Sequence, residues 1–142
     1  MIRELTMDDY DGIIELFKST PGITFREADS REATERYLKR NPSLSFIAEE
    51  GSEILGCILG GHDGRRGYLQ HLVVRPDHRN KGIGEALVMK CTDALDKIGI
   101  SKAHIFVFKT NGIGNSFWAG KGWQFRDDVN MYSYNSSTNE NA

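Results

Sequence analysis

Apolar positions in this chain switch between helical and strand spacing. Residues 2–5 read as a short first strand, and Thr6 with Asp9 three positions on forms a capping-box pattern that opens a helix. Ile13, Ile14, Leu16 and Phe17 supply the apolar face of that helix, and Thr20-Pro21-Gly22 ends it. Residues 22–29 carry no period and read as an irregular loop. Asp29 or Ser30 caps a second helix to about Arg40, with Ala33 and Tyr37 on one face and Asn41-Pro42 as the stop. Residues 44–50 and 54–60 read as strands around the turn Glu50-Gly51-Ser52-Glu53. A second turn, His62-Asp63-Gly64-Arg65-Arg66-Gly67, leads into a strand over 68–75. Three strands joined by tight turns are antiparallel neighbours. A helix over 85–98 ends at Gly99; 103–108 is β-rich, 111–120 a short helix, and 123–125 and 129–134 further strands. The order β-α-α-β-β-β-α-β-α-β-β predicts an α+β fold. It is one mixed, mostly antiparallel sheet of six to seven strands, with about four helices on its two faces.

With no repeat or linker, a chain of 142 residues reads as one domain over 1–135, followed by a polar tail, 136–142, expected to be disordered. The net charge is −2 with both signs interspersed, so no basic stripe points to nucleic acid. The first residues lack a signal-peptide apolar core, and apolar runs fall far short of a membrane span. Cys57 and Cys91 are isolated thiols, which predicts a reduced, cytoplasmic protein; no histidine spacing suggests a metal.

Candidate chemistry concentrates in Arg79-Asn80-Lys81-Gly82-Ile83-Gly84, between the strand 68–75 and the helix 85–98. Glycines let an anion approach the backbone, and a helix start adds unpaired N–H groups and a positive dipole end. A P-loop requires Gly-Lys-Ser/Thr, but Gly84 is followed by Glu85. A dinucleotide fingerprint requires a third glycine where Leu87 stands, at the first turn of a parallel sheet.

Arg79-x-x-Gly82-x-Gly84, preceded by Leu72-Val73-Val74-x-Pro76, resembles the acyl-CoA pyrophosphate motif of the GNAT acetyltransferases. Asn111, Phe117, Trp118, Gly122 and Trp123 are similar to that family's downstream signature, and the strand order matches its fold to about Tyr134. The turn 60–67 resembles that of small bacterial members whose substrates are mostly unassigned. The resemblance implies acetyl-CoA as co-substrate, lying where the strands 68–75 and 103–108 splay apart. It implies that backbone groups of Leu72, Val73 and Val74 pair with the pantetheine arm. Backbone N–H groups of Arg79, Asn80, Lys81, Gly82, Ile83 and Gly84 would hold the pyrophosphate. Asn111 and Trp118 would contact the cofactor, Asn111 also capping a helix.

Acetyl transfer to an amine needs a neutral amine, a polarised carbonyl and a leaving thiolate. The resemblance implies that the Leu72 N–H polarises the carbonyl. The family's usual acid, a Tyr, is replaced by Trp118, whose indole donates a hydrogen bond but no proton, so it reads as a packing aromatic. Water, Tyr132 or Tyr134 is left to protonate the thiolate. Tyr68 stands where some relatives carry a basic Glu, and His71, polar within an apolar strand, is a candidate base or relay or else a structural histidine. Phe25, Arg26, Glu27, Asp29, Asp63, Arg65, Arg66, Asp127 and Asp128 fall in segments that line the acceptor site in this family. Asp63-Gly64 is also ordinary hairpin chemistry, and the two cysteines read as core thiols.

The expected function is thus direct N-acetylation of a small-molecule primary amine, with no metal, nucleic acid or membrane partner and with homodimerisation left open. A non-catalytic acyl-CoA-binding module and a peptide or protein N-acetyltransferase are the alternatives.

Overall fold

Gly60 and Gly61 show how the chain layers itself. A Cβ on Gly60 would run into Cys91, and one on Gly61 would meet the Tyr37 hydroxyl and Asn41, so consecutive residues of one strand face two different helices. The structure, a computed structural model, describes residues 1–142. Its elements are β1 (Ile2–Glu4), α1 (Tyr10–Lys18), α2 (Arg31–Arg40), β2 (Phe46–Glu50), β3 (Glu53–His62), β4 (Gly67–Val74), α3 (Ile83–Lys97), β5 (Ala103–Ile105) and α4 (Gly112–Gly120). They fall in two compact units, Met1–Ile105 and Phe106–Ala142.

The first unit holds a five-stranded sheet in the order β1-β2-β3-β4-β5. The first four strands are antiparallel, and β5 joins β4 in parallel after the α3 crossover. One face packs on α1, with Ile13, Leu16 and Phe17 against Ile47, Cys57, Leu59 and Val73. The other packs on α3, whose Leu87, Val88, Cys91 and Leu95 are buried. Each fully buried leucine contributes roughly 1.5–3 kcal/mol. Ser30 is the cap of α2, its Oγ accepting from Ala33 N–H at 3.2 Å. Asp9 accepts from Thr6 N–H at 2.9 Å and also holds Arg3 through 2.7 and 2.9 Å bonds, so the box at Thr6 ties β1 to the first turn.

The structure corrects the sequence reading at its end. Residues 123–125 and 129–134 form no strands, so the sheet has five strands rather than six to seven. Strand propensity is realised only with a ladder partner and a face to bury. Here Phe125, Val129, Met131, Tyr132 and Tyr134 are all exposed. The fifth strand is cut from the expected 103–108 to three residues, and the loop 22–29 contains a 3-10 turn, Glu27–Asp29.

Candidate functional site

The parallel ladder joins β4 to β5 at only three positions, Gly67↔Ala103, Tyr68↔His104 and Leu69↔Ile105. Beyond Leu69, β4 continues to Val74 paired with β3 alone. Between Leu59↔Gln70 and Cys57↔Val73, β3 uses two residues and β4 three, so β4 bulges at His71–Leu72. His71 sits there at φ 49°. Arg75 N–H donates to Leu55 O at 2.8 Å. Ladder alternation counted back from that bond turns the backbone polar groups of Leu72 and Val74 away from β3, to the edge where β5 has stopped. An edge of this kind accepts an extended polar ligand as it would another strand.

The same edge leads into the Gly-rich turn. Pro76–His78 makes one 3-10 turn, Arg79 Nε donates to Val74 O at 3.1 Å, and Asn80 and Gly82 are left-handed at φ 62° and 82°. Gly82 is the N-cap of α3 and supplies no side-chain cap. The first intrahelical bond runs from Ala86 N–H to Gly82 O at 3.0 Å, which leaves the N–H groups of Ile83 and Gly84 outside the ladder. Helix-start N–H groups with no built-in cap, beside Arg79 and Lys81, suit a pyrophosphate. The helix begins at Ile83, two residues before the sequence reading placed it, so both residues belong to its first turn.

On the α1 side of the bulge, the His71 ring stacks on Phe17 with centroids 4.6 Å apart. Its Nε2 lies 2.7 Å from Asp29 Oδ1. Asp29 is only 8% exposed. Its Oδ2 accepts from Arg26 N–H at 2.9 Å, and its carbonyl accepts from the Tyr10 hydroxyl at 2.7 Å. Burial pushes the Asp29 carboxyl up, but the bonds from His71 and Arg26 outweigh it and hold the group below the usual carboxylate range. Asp29 is therefore ionised, and Nε2 carries the ring proton that it donates.

Tyr68 lies on β4 with its ring 5.6 Å from that of His104, and Gln70 is exposed. Asp63 serves its own turn, accepting from the N–H groups of Arg65 and Arg66 at 2.8 Å each. Cys57 and Cys91 are buried, and burial pushes each thiol up to about 12. In the second unit, Asn111 caps α4, accepting from Gly114 N–H at 2.9 Å. Trp118 is buried and packs edge-on against Phe117 and Trp123. Asp128 pairs with Arg126, and Tyr132 is 90% exposed with no helix or strand to fix it.

Sequence reasoning placed His71 and Asp29 in separate roles and missed both their pairing and the bulge. The adjacent polar residues Gln70-His71 within an apolar strand were the one available signal. Nothing local links two positions 42 residues apart.

The sequence profile of the "Acetyltransferase (GNAT) family" matches residues 10–122. A Pectobacterium atrosepticum protein described as an acetyltransferase is 34% identical over 110 residues, 78% of this chain and 77% of that one. Another so described, from Sodalis glossinidius, is 31% identical over 128 residues, 90% and 89% of the two chains. The PaiA N-acetyltransferase of Thermoplasma acidophilum, solved in complex with coenzyme A, matches with a TM-score of 0.76 at 25% identity, covering 85% of this chain and 87% of that one. A Clostridium acetobutylicum protein solved with acetyl-CoA shares the fold, with a TM-score of 0.70 at 18% identity over 94% and 95% of the chains. The interrupted sheet edge, the uncapped helix start and a profile match over most of its length agree: this chain belongs to the GNAT family and is an acetyl-CoA-dependent acyltransferase.

Proposed function

We propose that the protein transfers the acetyl group of acetyl-CoA directly to a primary amine of a small molecule. The observation that carries this reading is the continuity of two features. The β4 edge from Leu72 to Val74, which β5 leaves open, leads through the 3-10 turn Pro76–His78 and the Gly-rich turn to the uncapped start of α3. The edge suits the amide-bearing pantetheine arm. Each N–H from the turn to a phosphate oxygen would contribute roughly 1.5–3 kcal/mol. Leu72 N–H, fixed on the bulged strand, is the proposed donor to the thioester carbonyl, in place before reaction begins.

Direct attack is favoured over a covalent intermediate. The two thiols are buried and neutral at physiological pH, so neither is a nucleophile. The leaving sulfur has an alkyl-thiol pKa near 8.5 and tolerates departure as thiolate. The acceptor would enter on the α1–α2 side of the sheet, where the 3-10 turn Glu27–Asp29 and the hairpin at Asp63 supply charges of both signs.

The test combines binding and turnover. Acetyl-CoA should raise the melting temperature, and thiol release from acetyl-CoA should accelerate with at least one member of a panel of polyamines, amino acids and amino sugars. A melting rise without amine-dependent thiol release would instead identify an acyl-CoA-binding module. Turnover of peptides alone would identify a peptide acetyltransferase.

A further inference from the structure

We propose that His71 is the general base that deprotonates the acceptor amine, and that Asp29 is the residue that positions it. This rests on the acetyl-transfer reading above and assigns the proton acceptor that reading leaves unnamed. Four observations converge on the pair. The β4 bulge re-aims His71, and bulges of this kind recur beside active sites. His71 holds φ 49°, a conformation strained for a residue with a Cβ, which persists only where the surroundings over-determine it. Its ring is fixed on two sides, by Phe17 at 4.6 Å and by Asp29 at 2.7 Å. Asp29 is itself held by Arg26 N–H and the Tyr10 hydroxyl, just ahead of Ser30, the cap of α2.

The chemistry follows from which nitrogen is used. With Nε2–H donated to the Asp29 carboxylate, the lone pair is on Nδ1. Nδ1 belongs to the residue directly before Leu72, whose N–H is the proposed carbonyl polariser. Base and polariser thus come from consecutive residues of one bulge. An acceptor ammonium gives a proton to Nδ1. The amine lone pair then forms the N–C bond to the thioester carbonyl carbon as the C–S bond breaks. The sulfur leaves with the bonding pair and takes the second amine proton, and His71 returns the first to solvent. The carboxylate steadies the imidazolium while it holds that proton.

The titratable and charged groups around the ring are few. Asp29 and Arg26 come from the turn before α2, and Tyr10 from α1 reaches the Asp29 carbonyl. Cys57 of β3 donates its thiol to the His71 carbonyl at 3.6 Å, and Tyr68 precedes on β4.

A purely structural pin between β4 and α2 would show the same contacts, so the test uses readouts a pin would not move. The probes are ethylamine, almost wholly protonated at pH 7 as lysine is, and 2,2,2-trifluoroethylamine, of similar shape but kept largely neutral there by its fluorines, each corrected for the rate without enzyme. His71→Gln keeps an N–H donor for Asp29. It should lower kcat/KM for ethylamine by about 10²-fold or more at pH 7 and remove the acid limb in the imidazole range. Its effect on trifluoroethylamine should be far smaller, within about threefold, because that amine arrives already neutral and has no ammonium proton to give up. Asp29→Asn should move the acid limb to lower pH. Equal losses for both amines, or an acid limb unchanged in His71→Gln, would overturn the base assignment while leaving acetyl transfer intact. No thiol release from the parent with either probe or with any member of the polyamine, amino-acid and amino-sugar panel, despite an acetyl-CoA-induced melting rise, would overturn the transfer reading and the base with it.

Discussion

Replacing Gly82 by Asp puts a carboxylate where the proposed pyrophosphate meets the start of α3. At acetyl-CoA a hundredfold above its dissociation constant, binding to the folded state alone adds about 2.7 kcal/mol. For a chain of this length 1 kcal/mol is worth roughly 2–4 °C, so the parent should melt roughly 5–11 °C higher with ligand. A carboxylate ~5 Å from a doubly charged pyrophosphate is repelled by about 1.7 kcal/mol at the dielectric of water and by about four times that at an effective value of 20. The smaller figure alone weakens binding about 17-fold and cuts the ligand-induced rise to less than about half; the larger abolishes it. The cost to the unliganded protein is separate. A Cβ at Gly82 meets nothing within 4 Å, so the cost is that of a left-handed residue at φ 82°. That is at most about 1–2 kcal/mol, and Asp tolerates the conformation better than most residues. Gly82→Asn pays the same backbone cost without the charge, so the Asp–Asn difference isolates electrostatics. The assay is a thermal melt of parent, Gly82→Asn and Gly82→Asp, each with and without acetyl-CoA. If Gly82→Asp keeps the full ligand-induced rise shown by Gly82→Asn, the pyrophosphate is not held at the start of α3.

The remaining predictions concern the scaffold. Gly60→Ala drives a Cβ into Leu44 O and Cys91 Sγ between β3 and α3. It should cost about 1–3 kcal/mol, read as a lower urea midpoint at unchanged slope; an unchanged midpoint would mean the two layers yield without strain. Asp9 is held below the usual carboxylate range chiefly by its bond from Arg3, so its contribution is complete above the unfolded pKa, near pH 4, and is lost as pH falls through the lower folded value. The stability gap between parent and Asp9→Asn should therefore be widest at pH 5–7 and narrow towards pH 3 in urea titrations. A gap that widens on acidification would show that the Arg3 pairing is not its source.

Much of this architecture is local and was legible in the chain. Ser30 and Asn111 cap their helices because their short side chains reach the N–H three residues on. Asp63-Gly64 makes the tight turn between β3 and β4, and the spacing of Ile13, Leu16 and Phe17 marks the buried face of α1. The meander β2-β3-β4, the α3 crossover and the Gly-rich turn at Gly82 follow from patterns no longer than one element and its neighbours. The family membership that the turn suggested is carried by the profile match. Tertiary structure decided what depends on distant partners. The bulge at His71 is a mismatch of register between two strands, which neither strand contains by itself. Asp29 meets His71 only because α1 and the turn before α2 pack on the α1 face of the sheet. The predicted strands after α4 carry strand-forming residues but form no ladder, since propensity is local and pairing is not. Local sequence chooses the elements and their ends; which charged groups come within hydrogen-bonding distance is set by packing, whose contacts join residues far apart in the chain.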